Sequence, residues 1–302
     1  MKKLIYILPF ILISGISTAQ QFPFMEGYNM DPFHLSPSYA GLINPNTISL
    51  DHRIDWAGID GGPRTYQLSY HNRIMDKMGV GGRFIYDKSD IFKQMTFLGT
   101  YTYEVNVTEG HIINFGLSIG LFSNSIDLGK YFNDPAFIDD NALTMGTEKA
   151  KIKFTSDISA LYRFNNLEAG IYFSSLMFGE SAYENPDLVY KPLMNYLVHA
   201  AYRYDIDETW SVKPYLLLRG GQNAPIQVEL LGHVNYTERI WGNLLFRSSG
   251  VFGIGFGGEV YNGIRLNYSY TMSSSVALNT FGGHQISLAF NLNSLVKGPS
   301  AE

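Results

Sequence analysis

The sequence predicts an all-β protein, a transmembrane antiparallel β-barrel of the outer-membrane type with 14 strands, and three observations predict it. Apolar and polar residues alternate over run after run, the period of two of a strand with one greasy and one polar face. Many runs reach ten or more residues, whereas ordinary strands average five or six and a tilted strand crossing a bilayer needs ~9–11. The composition holds 21 Tyr, 20 Phe and 30 Gly with only 16% charged residues. That mixture suits strands at an aromatic, interfacial boundary better than a water-soluble helical domain.

Taken from the start, Lys2 and Lys3 precede an apolar run from Leu4 to Ile13 and then Ser17, Thr18 and Ala19. This is the charge, core and small-residue order of a secretory signal peptide, expected to span 1–19 and to be cleaved after Ala19. The apolar run is too short for a membrane-spanning helix, which needs ~20 residues. There is no cysteine, so neither a disulfide nor a thiolate metal site can form. Removing Lys2 and Lys3 takes the formal charge from −5 to −7, which argues against nucleic acid as a partner.

Residues 20–46 carry Pro23, Pro32, Pro37 and Pro45 with several aromatics and no sustained period. They are expected to form an irregular segment ahead of the first strand, packing into the barrel mouth. Strands are then expected at 47–56, 64–73, 78–88, 92–105, 111–123, 151–164, 167–176, 192–204, 210–220, 225–236, 239–247, 251–261, 263–272 and 281–292, with 293–302 a C-terminal tail. The clearest alternation sets Met95, Phe97, Tyr101 and Tyr103 against Gln94, Thr96, Thr100 and Thr102. Connections alternate in length. The even-numbered ones, such as 165–166 and 237–238, are short, and the odd-numbered ones include long segments around 124–150 and 177–191. Outer-membrane barrels have short periplasmic turns and longer outer loops, so both termini should face the periplasm and the loop from Trp56 to Arg64 the outside. A secreted sandwich or solenoid would also alternate, but strand length and the lack of a fixed repeat disfavour both.

Motifs for chemistry are weak. Gly116-Leu-Ser118-Ile-Gly120 matches a nucleophile elbow by letter, yet it lies mid-strand with no helix following, so Ser118 and Asn114 are expected to face a lumen. Gly253-Ile-Gly255-Phe-Gly-Gly258 matches a dinucleotide pattern, but its Phe252, Ile254 and Phe256 continue the period of two. Asp51, His52 and Asp55 do not converge, because Asp51 and Asp55 face one way along a strand and His52 the other. The seven histidines show no metal-ligand spacing. No catalysis, cofactor or metal is expected.

The stretch Arg53-Ile-Asp55-Trp56-Ala-Gly58-Ile-Asp60-Gly61-Gly-Pro63-Arg64-Thr65, with Leu68-Ser69, resembles the signature of the PorP/SprF family of outer-membrane proteins of the type IX secretion system. Ser36-Pro37-Ser38-Tyr39-Ala40-Gly41 is similar to a second family element, differing at its first and third residues. Gly79-Val-Gly81 leading to Asp87, Asp134-Pro135-Ala-Phe137 and Gly283-His284-Gln285 extend the likeness. The resemblance implies an outer-membrane barrel that partners secretion or gliding machinery, or binds a cell-surface protein exported by it. Apolar inward positions Leu98, Phe122, Leu161, Leu217, Leu231 and Leu245 favour a partly filled interior over the open lumen of a rival diffusion channel or solute transporter. Partner contacts are expected at Trp56, Asp60 and Arg64 in the first outer loop and at Tyr131, Phe132 and Phe137 in the long one, since binding residues usually sit on loops carried by a rigid scaffold. A purely structural pairing of Arg64 with Asp55 or Asp60 is the alternative.

Overall fold

The computed structural model describes residues 25–127, 147–149, 151–177, 181–182, 189–190, 194–221, 224–273 and 282–297. Fourteen long strands form the wall. They are β1 (Thr47–Asp55), β2 (Arg64–Met75), β3 (Met78–Ser89), β4 (Phe92–Thr108) and β5 (His111–Asp127). β6 (Lys153–Phe164), β7 (Leu167–Met177), β8 (Asn195–Tyr202), β9 (Trp210–Gly221) and β10 (Ala224–Tyr236) follow. β11 (Ile240–Arg247), β12 (Val251–Tyr261), β13 (Ile264–Ser273) and β14 (Gly283–Asn291) complete it.

Each wall strand pairs antiparallel with its neighbour in sequence. β14 then closes on β1 in register from Thr47↔Asn291 to Asp55↔Gly283. The closed ring leaves no unpaired wall edge, which a sheet in lipid requires. Two short pieces extend the sheet, 147–149 beside β5 and 204–205 beside β9, while 181–182 and 189–190 pair with each other as a separate two-stranded ribbon.

The alternation sorts the two faces as expected. On β2, Tyr66, Leu68 and Tyr70 stand outward and exposed, while Thr65, Gln67, Ser69 and His71 are buried inside. The apolar inward positions read from the sequence, among them Leu98, Leu161 and Leu217, are buried. So are Ser118 and Asn114, and Ser118 shares a 2.8 Å hydrogen bond with Thr100 on the lumen side. Gly253 to Gly258 lie within β12, with no helix after it.

Strand ends differ from the sequence reading by a few residues, most at β4 and β5, which run to Thr108 and Asp127. Residues 292–297, expected largely as tail, form a short helix α1 (Leu292–Lys297). It is tied beneath the barrel by Asn262 Nδ2 donating to Ser294 O at 2.9 Å and Leu292 N–H to Asn46 O at 2.9 Å.

Candidate functional site: a plugged lumen and the outer rim

Residues 25–42 lie inside the barrel, and 43–46 lead from it to β1, with Asn44 exposed. Prolines at the starts of two short turns and an Asp cap set their path, because the ring fixes φ and a missing N–H costs nothing at a first helical position. Three 3₁₀ turns result: η1 (Glu26–Asn29), η2 (Pro32–His34) and η3 (Pro37–Tyr39). Asp31 caps η2 by accepting from Phe33 N–H at 3.1 Å. A closed ring of side chains around this segment supplies the partners its irregular backbone lacks.

One end of the plug carries charge. Glu26 Oε1 sits 2.8 Å from Arg53 Nη1 and 3.2 Å from Arg247 Nη2, and its N–H donates to Gln285 Oε1 at 2.9 Å. The Arg53 fork also holds Asp55 through two bonds of 2.7 and 2.8 Å. Beside it Glu229 accepts from Arg247 Nε at 2.8 Å, from Arg219, and from the Tyr28 hydroxyl at 2.9 Å. Burial alone would raise the Glu26 carboxyl, but the Arg53 and Arg247 guanidiniums outweigh it and hold it below its usual range. Buried ions persist only when paired and hydrogen-bonded in this way.

A second polar knot surrounds Asp31, whose Oδ2 accepts from the Ser49 hydroxyl at 2.7 Å. His71 Nδ1 accepts the Gly41 N–H at 3.1 Å, which turns Nε2 toward Asp31 Oδ1, 3.3 Å away. His34 Nε2 lies 3.6 Å from Asp31, 3.4 Å from Asp51 and 3.0 Å from Ser69 Oγ. Burial would raise Asp31 too, yet His71, His34 and Ser49 together hold it well below the ordinary carboxylate value. Among the described residues no group of three or more His, Asp or Glu side chains is arranged to hold a metal ion.

The plug reaches the opposite wall through η3. The Tyr39 hydroxyl lies 3.0 Å from Glu168 Oε2 and 3.2 Å from His199 Nε2, and Lys213 Nζ completes the group at 2.9 Å from Glu168. Ser38 N–H donates to Ser159 Oγ at 2.9 Å, and the Thr102 hydroxyl donates to Ala40 O at 3.0 Å. Tyr28, Leu35 and Tyr39 pack with Leu161, Leu197, Leu217, Leu231 and Leu245 in one buried cluster. Phe33 lies beneath the Arg83 guanidinium, 5.4 Å from its ring centre, and Arg83 also pairs with Asp157 at 2.9 Å.

Two wall glycines admit the plug's backbone. A Cβ on Gly79 would stand 2.1 Å from Ala40 O, and one on Gly116 would stand 2.4 Å from Ser38 N. Thus the first glycine of the elbow-like motif makes room for a close approach.

At the rim expected to face outward, the loop after β1 is backbone-bonded and strained. Trp56 has φ of +53°, the left-handed region that a bulky side chain seldom enters, and remains 42% exposed. Ala57 N–H donates to Gly282 O, Ile59 N–H to Trp56 O, Gly62 N–H to Ile59 O and Asp90 N–H to Gly61 O, all within 3.2 Å. Trp56, Ile59 and Asp60 therefore stand out on a fixed loop. Arg64 stands apart from them as the first residue of β2, facing outward. Asp55 is held by Arg53 instead, so the alternative pairing of Arg64 with Asp55 is not formed. Arg53 faces inward and reaches Asp55 two residues along the same strand face, whereas Arg64 points away from the lumen. Tyr131, Phe132 and Phe137 lie outside the described residues.

A family model described as type IX secretion system membrane protein PorP/SprF matches residues 17–290. The chain belongs to the PorP/SprF family. It is a membrane protein of that secretion system, folded as a closed β-barrel. In this PorP/SprF protein the residues of the signature stretch divide. Arg53 and Asp55 secure the plug, Trp56 to Gly62 form the rim loop, and Ser36 to Gly41 dock against Gly79 and Gly116. No curated protein matches the chain.

The chain is similar to several solved structures. One is the TodX ΔS2S3 mutant monoaromatic hydrocarbon channel, at 12% identity and a TM-score of 0.50, covering 87% of this chain and 92% of that one. Another is the outer membrane protein Omp33 of Acinetobacter baumannii, at 9% identity and a TM-score of 0.49, covering 83% and 99%. KdgM porin aligns at 8% identity and a TM-score of 0.40, covering 81% and 98%.

Proposed function

We propose that this barrel works as a plugged, non-enzymatic docking platform that retains a secreted or cell-surface protein at its outer rim. The observation that carries this reading is the occupied lumen. Residues 25–46 bond to the wall from β1 around to β14, and a channel of this size would need that space open. With the interior filled, the rim is the surface on which selectivity can act.

Trp56 and Asp60, with Tyr131, Phe132 and Phe137 of the long loop, are the proposed contacts. Strain of ~1–3 kcal/mol persists at a residue such as Trp56 only where the surroundings over-determine it, as they do at binding loops. An exposed indole on a rigid loop costs little further entropy when a partner covers it.

Deleting Asn133 to Thr147 in cells, and separately replacing Trp56 by Ala, tests the proposal. Surface labelling of exported proteins should fall while heat-modifiability shows a folded barrel. Normal surface levels of every exported protein, with the barrel folded, would overturn it.

A further inference from the structure

Outward-facing residues of β14, β1, β2, β3 and β4 fall into layers fixed by strand register. The row nearest the outer rim reads His284, Ile54, Arg64, Lys88 and Lys93, each directly opposite the next. The next row toward the membrane centre reads Ile286, His52, Tyr66, Tyr86 and Met95. Below it come Leu288, Leu50, Leu68, Phe84 and Phe97. The cations thus stand above a row centred on His52 and two tyrosines, and that row above leucines and phenylalanines.

The lowest row is hydrocarbon-facing wall. The middle row is an aromatic girdle of the kind found at headgroup level, with His52 stacked on Tyr66 at 4.3 Å and Tyr66 beside Tyr86 at 6.2 Å. The upper row is unusual, because like charges directly opposite on adjacent strands repel. Arg64 and Lys88 are both exposed, and among the described residues neither has a salt-bridge partner. Lys93 is tied to Asp127 on β5. The nearest carboxylates on these strands are engaged elsewhere: Asp55 by Arg53, and Asp87 by the Thr65 hydroxyl at 2.6 Å. Asp60 and Asp90 lie on the flanking turns.

We propose that Arg64, Lys88 and Lys93 form an outward-facing clamp for the phosphorylated headgroup of an outer-leaflet lipid, whose chains lie against the girdle and wall below. Strand spacing puts the three cations across about 10 Å, matching a headgroup with more than one phosphate. Arg64 offers the planar fork that takes phosphate oxygens in pairs, and the two lysines act as point charges. An acyl chain then follows the aromatic and aliphatic rows downward. The bound anion relieves the repulsion that the register imposes.

The test uses the purified full-length barrel in detergent, with bis-phosphorylated lipid A, its dephosphorylated form and inorganic phosphate as probes. Native mass spectrometry and thermal melting read retention. The intact protein should retain the phosphorylated lipid and melt at higher temperature with it, while dephosphorylated lipid is lost and inorganic phosphate does not compete. An Arg64→Gln/Lys88→Gln double variant should weaken retention by roughly tenfold or more, on the pull of two basic residues toward an anionic lipid surface. Lys88→Arg should keep it, and heat-modifiability reports folding of each variant. Equal retention of both lipids, or no loss in the folded double variant, would overturn the clamp. A double variant that keeps lipid but loses an exported protein would overturn it too, assigning the row to protein contact.

Discussion

Where the plug faces β14, β1 and β2 it meets Gln285, Ser49, Asp51, Arg53 and His71; where it faces β6 to β11 it meets Leu161, Leu197, Leu217, Leu231 and Leu245. The segment answers each side in kind, with Glu26, Asp31 and His34 on the polar side and Tyr28, Leu35 and Tyr39 on the apolar one. The apolar contact is non-directional and supplies affinity. The polar contact has fixed partners and distances, and so sets the register of an irregular chain inside a smooth cylinder.

Breaking each side should give different losses. Arg53→Ala strips a shared cation from both Glu26 and Asp55, and removing one partner of a buried pair costs ~3–5 kcal/mol. The expected outcome is a plug that becomes open to protease while the strands stay folded, read by limited proteolysis and heat-modifiability. Leu35→Ala, at a fully buried position, should cost ~2–4 kcal/mol. It should lower the denaturant midpoint without exposing a particular cleavage site. If the two variants give the same digestion pattern, the division of labour between the sides is wrong.

Acid sharpens the comparison, because the plug's own two carboxylates, Glu26 and Asp31, both lie on the polar side. Asp31 and Glu26 are held below their unfolded values of about 4. Their contribution is complete above that value and drains away as pH falls through the lower folded ones. Plug release, followed by protease access or a fluorophore on residue 30, should therefore begin only below about pH 4. Release between pH 5 and 7 would assign control to other groups.

The smallest effect concerns the rim. Trp56→Gly relieves a left-handed backbone, so the barrel should gain about 1 kcal/mol in a melting experiment even as the exported partner is lost from the surface. Loss of stability instead would make the indole a packing residue.

Much of this was legible in the sequence. A period of two names both the strands and their lipid and lumen faces, since a one-residue slip would turn Leu68 inward and Ser69 out. Turn residues such as Asn165 and Asn166 mark the short connections. The interior was less legible. Tyr28, Asp31, His34 and Tyr39 lie in a stretch without a period, and their partners Glu229, His71, Asp51 and Glu168 are remote in the chain. Only the buried-polar run on β1 and β2 hinted that something charged must fill the space. The Arg64–Lys88–Lys93 row is not legible in the sequence, because adjacency across strands depends on register, which no single strand reveals.

Planar-bilayer recording of the purified barrel, set against a form lacking residues 25–46, tests the occupied lumen most directly. The intact protein should show no large steady single-channel current, and the shortened form, if it folds, should conduct. Large steady currents from the intact protein would contradict the plugged platform and restore the diffusion channel.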